Sequence, residues 1–298
     1  MTKVMVSINT LSLNSNATIL GEIGPILKGH AVSIPPEAHL FPVLRKAEEY
    51  GFRLLLDSDC VRPNRVEGII KDLYETAGYE SKTIFPIKFP AGGYSNILGL
   101  TVYCYPAVVE SAVKTFKECN DLAQKKYGGV TPASALIPNI YGVLFSTQDE
   151  LPLAEVKTKA LERAERIADK IDGFVVSGHE VREIRDKYPF KEIILTAIRD
   201  ERYPVESDDQ VRYVSTKDAV RLAKEFNADY VWIGRPITQA KNKATAAKYF
   251  IEAFASIFSY SFFIFPGRGS KHTPFSSSSS TMLSTSSSGS PEWAISSE

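Results

Sequence analysis

The sequence predicts an α/β protein, a single (β/α)8 barrel over residues 1–265. Eight short apolar segments recur along the chain, and helical patterns separate most of them, as this fold requires. The 298 residues suit one large barrel, and a hydrophobic share of 44% is enough for a packed core. A doubly wound open sheet shows the same alternation, but no glycine-rich dinucleotide motif follows the first predicted strand, which disfavours it.

The predicted strands are short apolar runs, many of them rich in β-branched and aromatic residues. In chain order they begin near residues 3, 30, 53, 97, 141, 173, 192 and 229, with the sequences KVMVSI, HAVSI, RLLLD, ILGLTVY, YGVLFS, GFVVS, EIILTA and DYVWIG.

Three helices are predicted most clearly in the second half of the chain. Leu153 to Ile171 carries apolar residues on one face and charges on the other. A second helix is expected to begin with Thr216 as its N-cap and to end at Asn227. Residues 242–258 predict a last amphipathic helix.

The composition changes sharply near the C-terminus. Residues 266–298 are rich in serine and offer little to bury, so the sequence predicts a disordered tail there. The apolar run Phe254 to Phe265 is shorter than the ~20 residues of a membrane helix, and a packed final helix is favoured over a membrane contact.

Charge and cysteine content restrict the partners and the compartment. The formal net charge is zero, so no general attraction to nucleic acid or to a membrane is expected, and an anion site must be local. The cysteines, Cys60, Cys104 and Cys119, match no zinc or redox spacing. Their odd number and the lack of a secretory signal at the N-terminus favour a reducing, cytoplasmic location.

An arginine directly after the last predicted strand indicates an anion site. In DYVWIGRPITQA, Gly234 allows a ligand to approach the backbone, and Arg235 presents a planar set of donors that suits a phosphate. Phosphate sites in barrels commonly lie near the loops after strands seven and eight. A surface salt bridge at a turn is the alternative.

The preceding loop supports the same interpretation. Residues 197–216 form a long polar connection after the seventh predicted strand, with Asp208, Asp209 and Gln210 near its middle. The Gln210 amide can donate to a phosphate oxygen without adding charge. Taken alone, the loop also fits an ordinary solvated segment.

Three segments together resemble the C-terminal half of orotidine 5'-phosphate decarboxylases. They are DGFVVSGHEVREIR, TAIRD with SDDQVRYVSTKDAV, and ADYVWIGRPITQA, in the order and spacing of that family. The resemblance implies that Gln210 and Arg235, with Gly234, hold a phosphate, and that Ser146 contacts a pyrimidine ring. Ala197 and Ile198 stand where the family prefers Pro-Gly.

The N-terminal half departs from the family's catalytic pattern, D-x-K-x-x-D after the third strand. Asp57 matches the first aspartate, whereas Asp59 stands at the lysine position and Arg62 at the second aspartate. Asn9 and Ser33 lie where the family has an aspartate and a lysine. The family's lysine protonates the carbon that loses carbon dioxide, and an ordinary aspartate is ionised at neutral pH and cannot do so.

Other assignments of these residues remain open. Lys71 or Lys88 would supply the missing cation if it reached the barrel mouth, although barrel chemistry normally uses strand ends. Asp57 and Asp59 share one strand face and would bind Mg²⁺ beside a phosphate, but capping or pairing with nearby arginines is favoured. His179 follows the sixth strand, where a helix-start or surface role is favoured over catalysis.

The sequence therefore predicts a diverged family member that binds a phosphorylated ligand, a pyrimidine nucleoside monophosphate, with decarboxylase activity weak or lost. No cofactor and no metal are expected, and the resemblance implies a homodimer. Two alternatives remain. One is an active decarboxylase with a rearranged centre, and the other is a non-catalytic scaffold or regulatory protein.

Overall fold

The structure is a computed structural model that describes residues 2–8, 13–36, 40–58, 61–76, 97–127, 139–145, 149, 152–208 and 210–255. The predicted boundary between barrel and tail at residue 265 lies outside these ranges, as does the serine-rich segment itself. In the described part of the chain, no helix is both long enough and apolar enough to cross a membrane.

Eight parallel strands close into a barrel, which confirms the predicted fold. Around the barrel the order is β1-β10-β7-β6-β5-β4-β3-β2, and β2 pairs again with β1. These strands are β1 (Lys3–Ser7), β2 (Ala31–Ile34), β3 (Arg53–Asp57), β4 (Ile97–Tyr103), β5 (Asn139–Val143), β6 (Gly173–Val176), β7 (Glu192–Leu195) and β10 (Tyr230–Ile233). All eight coincide with the predicted apolar segments.

Helices connect the strands and cover the outside of the sheet. They are α1 (Leu13–Ile23), α2 (Leu40–Tyr50), α3 (Pro63–Thr76), α4 (Pro106–Tyr127), α5 (Leu153–Glu165), α6 (Val181–Lys187), α7 (Thr216–Glu225), α8 (Arg235–Thr238) and α9 (Lys243–Ala255). Two short strands that the sequence did not reveal, β8 (Ile198–Arg199) and β9 (Val214–Ser215), pair in parallel at the base of the long loop between β7 and α7.

Two helix boundaries differ from the prediction. The helix expected to reach Ile171 ends at Glu165, and a short 3-10 turn follows. The turn brings Ile167 and Ile171 against Gly142 of β5, where an added Cβ would lie 2.7 Å from Ile167 Cδ1 and 2.9 Å from Ile171 Cδ1. Packing against the barrel thus overrides the continuous helical pattern.

The second difference concerns the cap of α7. Its N-cap is Ser215, whose hydroxyl accepts the Asp218 backbone N–H at 3.1 Å, and not Thr216. Thr216 is already helical, and its hydroxyl donates to the Arg199 carbonyl at 3.2 Å. The helix ends at Glu225, two residues before the predicted end at Asn227, and Asn227 takes the left-handed conformation, with φ 49°, just beyond the cap.

The core has two parts, as expected for a barrel enclosed by helices. The larger part lies between the strands and the helices. The smaller part fills the barrel interior with inward-facing side chains of alternating strand positions: Met5, Ala31, Leu55, Leu98, Tyr141, Val175, Ile194 and Tyr230, with Val143 and Trp232 packed against them.

Candidate functional site

A cavity of about 600 Å³ opens at the carboxyl ends of the barrel strands, the end where barrel enzymes place their active sites. This volume lies within the ~300–1,000 Å³ usual for small-molecule sites. The strands and the loops that follow them supply the lining residues: Ser7, Asp57, Ser58, Tyr103, Val143, Phe145, Val175, Thr196, Ala197, Ile198, Arg199, Gln210, Trp232, Gly234, Arg235, Thr238 and Gln239.

Arg235 enters this cavity because of the sharp turn before it. β10 ends at Ile233, and α8 begins at Arg235. Between them, Gly234 packs closely onto β1, so that an added Cβ would lie 3.3 Å from the Ser7 Cβ. The Arg235 side chain is 33% exposed, and its Nη2 lies 3.3 Å from Asp208 Oδ1.

Asp208 joins two arginines of the cavity wall. Its carboxylate accepts Arg199 Nε at 2.6 Å and Arg199 Nη2 at 2.8 Å. The Arg199 guanidinium lowers the pKa of Asp208, and the backbone N–H of Gln210 and the charge of Arg235 act in the same direction, against partial desolvation. Asp208 is therefore ionised at neutral pH and holds both guanidinium groups at the edge of the cavity.

Gln210 lines the same cavity as Arg235. Its backbone N–H donates to Asp208 Oδ1 at 3.1 Å, and its side-chain carbonyl accepts the Arg212 backbone N–H at 3.2 Å. These bonds turn the loop locally and fix the amide. Within the described residues nothing accepts a hydrogen bond from the Gln210 side-chain nitrogen, so this donor is available to a ligand.

Gln239 lines the cavity, although no sequence pattern singles it out. Its side-chain carbonyl accepts the Glu206 backbone N–H at 3.1 Å, which ties the loop before Asp208 to the end of α8. Its position in the quoted GRPITQA motif was the one sequence signal for it. Trp232 and Arg199 also line the cavity without having been predicted as site residues, although they lie in the motifs ADYVWIGRPITQA and TAIRD.

On another side of the cavity, Asp57 ends β3 as predicted and lines the opening. Thr101 Oγ1 on β4 donates to Asp57 Oδ1 at 3.0 Å and accepts the Ser58 backbone N–H at 3.0 Å. The Ser58 hydroxyl donates in turn to the Thr101 carbonyl. This network fixes the orientation of the Asp57 carboxylate relative to the cavity.

Ser33 lies on β2, where the resemblance led us to expect a lysine. It is fully buried, and its hydroxyl has no hydrogen-bond partner among the described residues. Lys71 lies on α3 with an exposed side chain and does not line the cavity. His179 precedes α6 and donates its backbone N–H to Ser177 Oγ at 3.3 Å, away from the lining residues.

Six residues named from the sequence lie outside the described ranges: Asn9, Asp59, Cys60, Lys88, Ser146 and Asp209. The alternative of Mg²⁺ held by Asp57 and Asp59 therefore stays an expectation. Among residues that the structure describes, no group of three or more histidine, cysteine, aspartate or glutamate side chains is arranged to bind a metal ion.

Phe145 forms an apolar wall between the cavity and two arginines. The guanidinium carbons of Arg163 and Arg212 each lie 4.7 Å from the centre of its ring, within cation-π range. Arg212 is only 4% exposed, and this burial lowers its pKa although it stays charged. Asp149 pairs with Arg163 at 3.0 Å. The contact between Arg212 and Phe145 holds the loop of Gln210 and Arg212 against the end of β5.

The fold and this cavity define a (β/α)8 barrel whose polar opening, with two arginines at one side, suits a small anionic ligand. The model described as "Orotidine 5'-phosphate decarboxylase / HUMPS family" matches residues 93–250, just over half of the chain. The chain therefore belongs to this family.

Individual relatives agree with this assignment. Orotidine 5'-phosphate decarboxylases from Lactococcus lactis subsp. cremoris strains SK11 and MG1363 are each 28% identical over 200 residues, covering 59% of this chain and 80% of the relative. The crystal structure of orotidine 5'-phosphate decarboxylase from Lactobacillus acidophilus is similar in fold, with a TM-score of 0.56 and 19% identity, over 85% of this chain and 99% of that chain. The Methanocaldococcus jannaschii decarboxylase, solved with the inhibitor BMP, gives a TM-score of 0.55 and 16% identity over the same shares.

Proposed function

We propose that this protein binds a pyrimidine nucleoside monophosphate at the barrel mouth, and that its orotidine 5'-phosphate decarboxylase activity is weak or lost. The observation that carries the proposal is the convergence of Arg235 and Gln210 on one cavity, which Asp57 also lines. Both residues offer donors suited to a phosphate. The Lactococcus lactis relatives are named for orotidine 5'-phosphate, which is itself a pyrimidine nucleoside monophosphate, and this supports a nucleotide ligand.

The binding mode follows from the charges of the cavity edge. A phosphate accepts hydrogen bonds from the Arg235 guanidinium and from the Gln210 side-chain nitrogen. Arg199 adds a second positive charge, and Asp208 keeps both guanidinium groups in place. Because the protein has no net charge, the attraction for the anion is local, and the two arginines exceed Asp208 by one positive charge.

The reduced decarboxylase activity is proposed from residue identities. Proton donation to the carbon that loses carbon dioxide needs an acid, and Asp59 and Ser33 replace the two lysines that the resemblance leads one to expect. A serine with an ordinary hydroxyl and an ionised aspartate are both poor proton donors at neutral pH. The protein would then still bind the ligand, although its decarboxylase activity is weak or lost.

Calorimetric titration with UMP and with 6-azauridine monophosphate tests the binding. Wild type should bind both, and Arg235→Ala should weaken binding by about 1.5–3 kcal/mol, roughly 10- to 150-fold, through the loss of charged hydrogen bonds. Arg221→Ala is the matched control, because Arg221 lies on the exposed side of α7. Equal affinity in both variants would contradict the proposed phosphate contact.

A decarboxylation assay with orotidine 5'-phosphate separates the proposal from an active enzyme. We expect no turnover, or turnover far below the ~1–10³ s⁻¹ typical of enzymes. Turnover in that range would establish the rearranged centre instead. A wild-type protein that binds neither nucleotide would favour a scaffold or regulatory role. The homodimer and the cytoplasmic location are proposed with it, and sedimentation velocity measures the former.

A further inference from the structure

We propose that Trp232 contacts the flat face of the ligand's ring and thereby makes the cavity favour the nucleotide over a phosphomonoester that has no ring. This inference rests on the proposed function and deepens it. In the sequence, Trp232 stands within the apolar run of the last strand. Its position inside the barrel suggests a second role.

Strand alternation directs Trp232 into the barrel. Tyr230, two residues earlier on β10, is 5% exposed and belongs to the interior cluster. Trp232 packs on the same cluster but is only partly buried, because it also lines the cavity. Its indole therefore covers the apolar interior and presents its remaining surface to the opening.

The spacing along β10 separates a ring site from the phosphate site. Gly234 lies two residues beyond Trp232, a rise of about 7 Å along a strand, and Arg235 follows it. A ligand held through its phosphate near Arg235 would thus extend inward with its next groups towards Trp232. This order, phosphate at the rim and ring deeper in the barrel, matches the order of groups in a nucleoside monophosphate.

The surroundings of Trp232 favour a flat apolar group. The cavity wall contributed by β4, β5 and β6 includes Tyr103, Val143 and Val175. β4 is four strands away from β10 in either direction, so Tyr103 lines the cavity from the opposite side of the barrel. No described residue accepts a hydrogen bond from the Trp232 indole N–H, which leaves that donor free for a polar edge of the ring. Stacking on an aromatic side chain suits any base, because every base has a π-face.

The test compares a ligand with a ring and one without it. We would titrate UMP and ribose 5-phosphate into wild type, Trp232→Val and Trp232→Phe. Loss of stacking should weaken UMP binding to Trp232→Val by about 5- to 150-fold and leave ribose 5-phosphate binding unchanged. Trp232→Phe keeps an aromatic face and should bind UMP within about threefold of wild type.

Tryptophan fluorescence gives a second readout that leaves Trp232 itself unchanged. The chain has two tryptophans, Trp232 and Trp293, so Trp293→Phe leaves Trp232 as the one emitter. UMP should quench or shift this emission, and ribose 5-phosphate should not. Unchanged emission on saturation with UMP would overturn the ring contact.

The outcomes separate this inference from the proposed function. Equal UMP affinity in wild type and Trp232→Val, or a parallel loss of both ligands in that variant, would overturn the inference and leave the phosphate site standing. Wild-type affinity for ribose 5-phosphate equal to that for UMP would do the same. A wild-type protein that binds neither ligand would overturn both.

Discussion

The two ends of the barrel treat their polar groups differently. At the end where the strands begin, exposed or half-buried side chains accept hydrogen bonds from neighbouring backbone groups. Asp172 Oδ2 accepts the Ile140 N–H at 2.7 Å, Asp229 Oδ2 accepts the Ile193 N–H at 2.9 Å, and His30 Nδ1 accepts the Val4 N–H at 3.1 Å. We call this end, including the interior layer around Tyr141, the lower end.

At the mouth, several polar groups lack such partners. Within the described residues, the side-chain nitrogen of Gln210 and the indole nitrogen of Trp232 donate to nothing, and the buried Ser33 hydroxyl on β2 has no partner. Ala197, which also lines the mouth, holds a φ of 60°, a left-handed conformation that favours glycine. At the lower end, polar side chains stabilise the fold by bonding to the backbone. At the mouth, some hydrogen-bond donors stay without a protein partner and one backbone position is strained, as is common in binding sites.

The largest expected effect is at the lower end. Gly99 packs so tightly that an added Cβ would lie 2.4 Å from the Asn139 carbonyl and 2.5 Å from the Tyr141 ring. Gly99→Ala should therefore lower the free energy of unfolding by about 3 kcal/mol, because a backbone carbonyl cannot move aside cheaply. Urea denaturation measures this change.

Gly68→Ala on α3 is the matched control, since nothing lies within 4 Å of a Cβ there. It should raise stability by up to ~1 kcal/mol, because alanine favours a helix. If Gly99→Ala were as harmless as the control, the tight packing of the lower end would be refuted.

At the mouth, Asp208→Asn should lower the free energy of unfolding by about 1–2 kcal/mol at neutral pH. The charged bonds to Arg199 and Arg235 are lost, and partial exposure of the pair limits their strength. The folded-state pKa of Asp208 is lowered, so its contribution is full above the ordinary value near 3.8 and is lost as the pH falls through the lowered pKa.

Urea denaturation of wild type and Asp208→Asn at pH 7, 5 and 3 checks this. The difference between the two proteins should stay constant from pH 7 to 5 and shrink at pH 3. A difference that is independent of pH over the whole range would contradict the ion-pair origin.

His30 gives the lower end a different pH dependence. Burial, with a smaller effect of Lys3, lowers the pKa of His30 below its usual 6.5. The unfolded chain therefore takes up a proton near pH 6.5 that the folded protein resists. Stability should fall as the pH decreases below 6.5, with a slope of at most ~1.4 kcal/mol per pH unit for one proton.

A His30→Gln variant removes the titrating group. Chemical denaturation between pH 7.5 and 5 should show a flatter stability profile for this variant than for wild type. Parallel profiles would mean that His30 does not carry the effect.

The smallest expected effect concerns the strained alanine at the mouth. Ala197→Gly should raise the free energy of unfolding by about 0.5–1 kcal/mol. Relief of a left-handed conformation is worth ~1–2 kcal/mol, and the added flexibility of glycine in the unfolded chain offsets part of it. Thermal and urea unfolding measure the gain, and a loss of stability would show that the strain is absent.

Much of the fold could be predicted from the pattern of residues. All eight barrel strands lie where the apolar runs placed them, because each run must be buried on both faces in a parallel sheet. The missed details, such as the cap at Ser215 and the end of α5 at Glu165, depend on contacts with distant segments. The Arg199 carbonyl accepts the Thr216 hydroxyl at the start of α7, and Gly142 receives Ile167 and Ile171 after the end of α5. No local sequence pattern contains these contacts.

The candidate site divides in the same way. The sequence by itself determined the family motifs and the position of Gly234 and Arg235 after the last strand. It also led to the expectation that Ser33 and Asp59 stand where the resemblance implies lysines. Only the tertiary structure decided that Asp208 joins Arg199 to Arg235, that Gln239 anchors the loop, and that Trp232 faces the cavity. Closing the barrel brings together side chains that are far apart in the chain, and their contacts depend on register and on loop conformation.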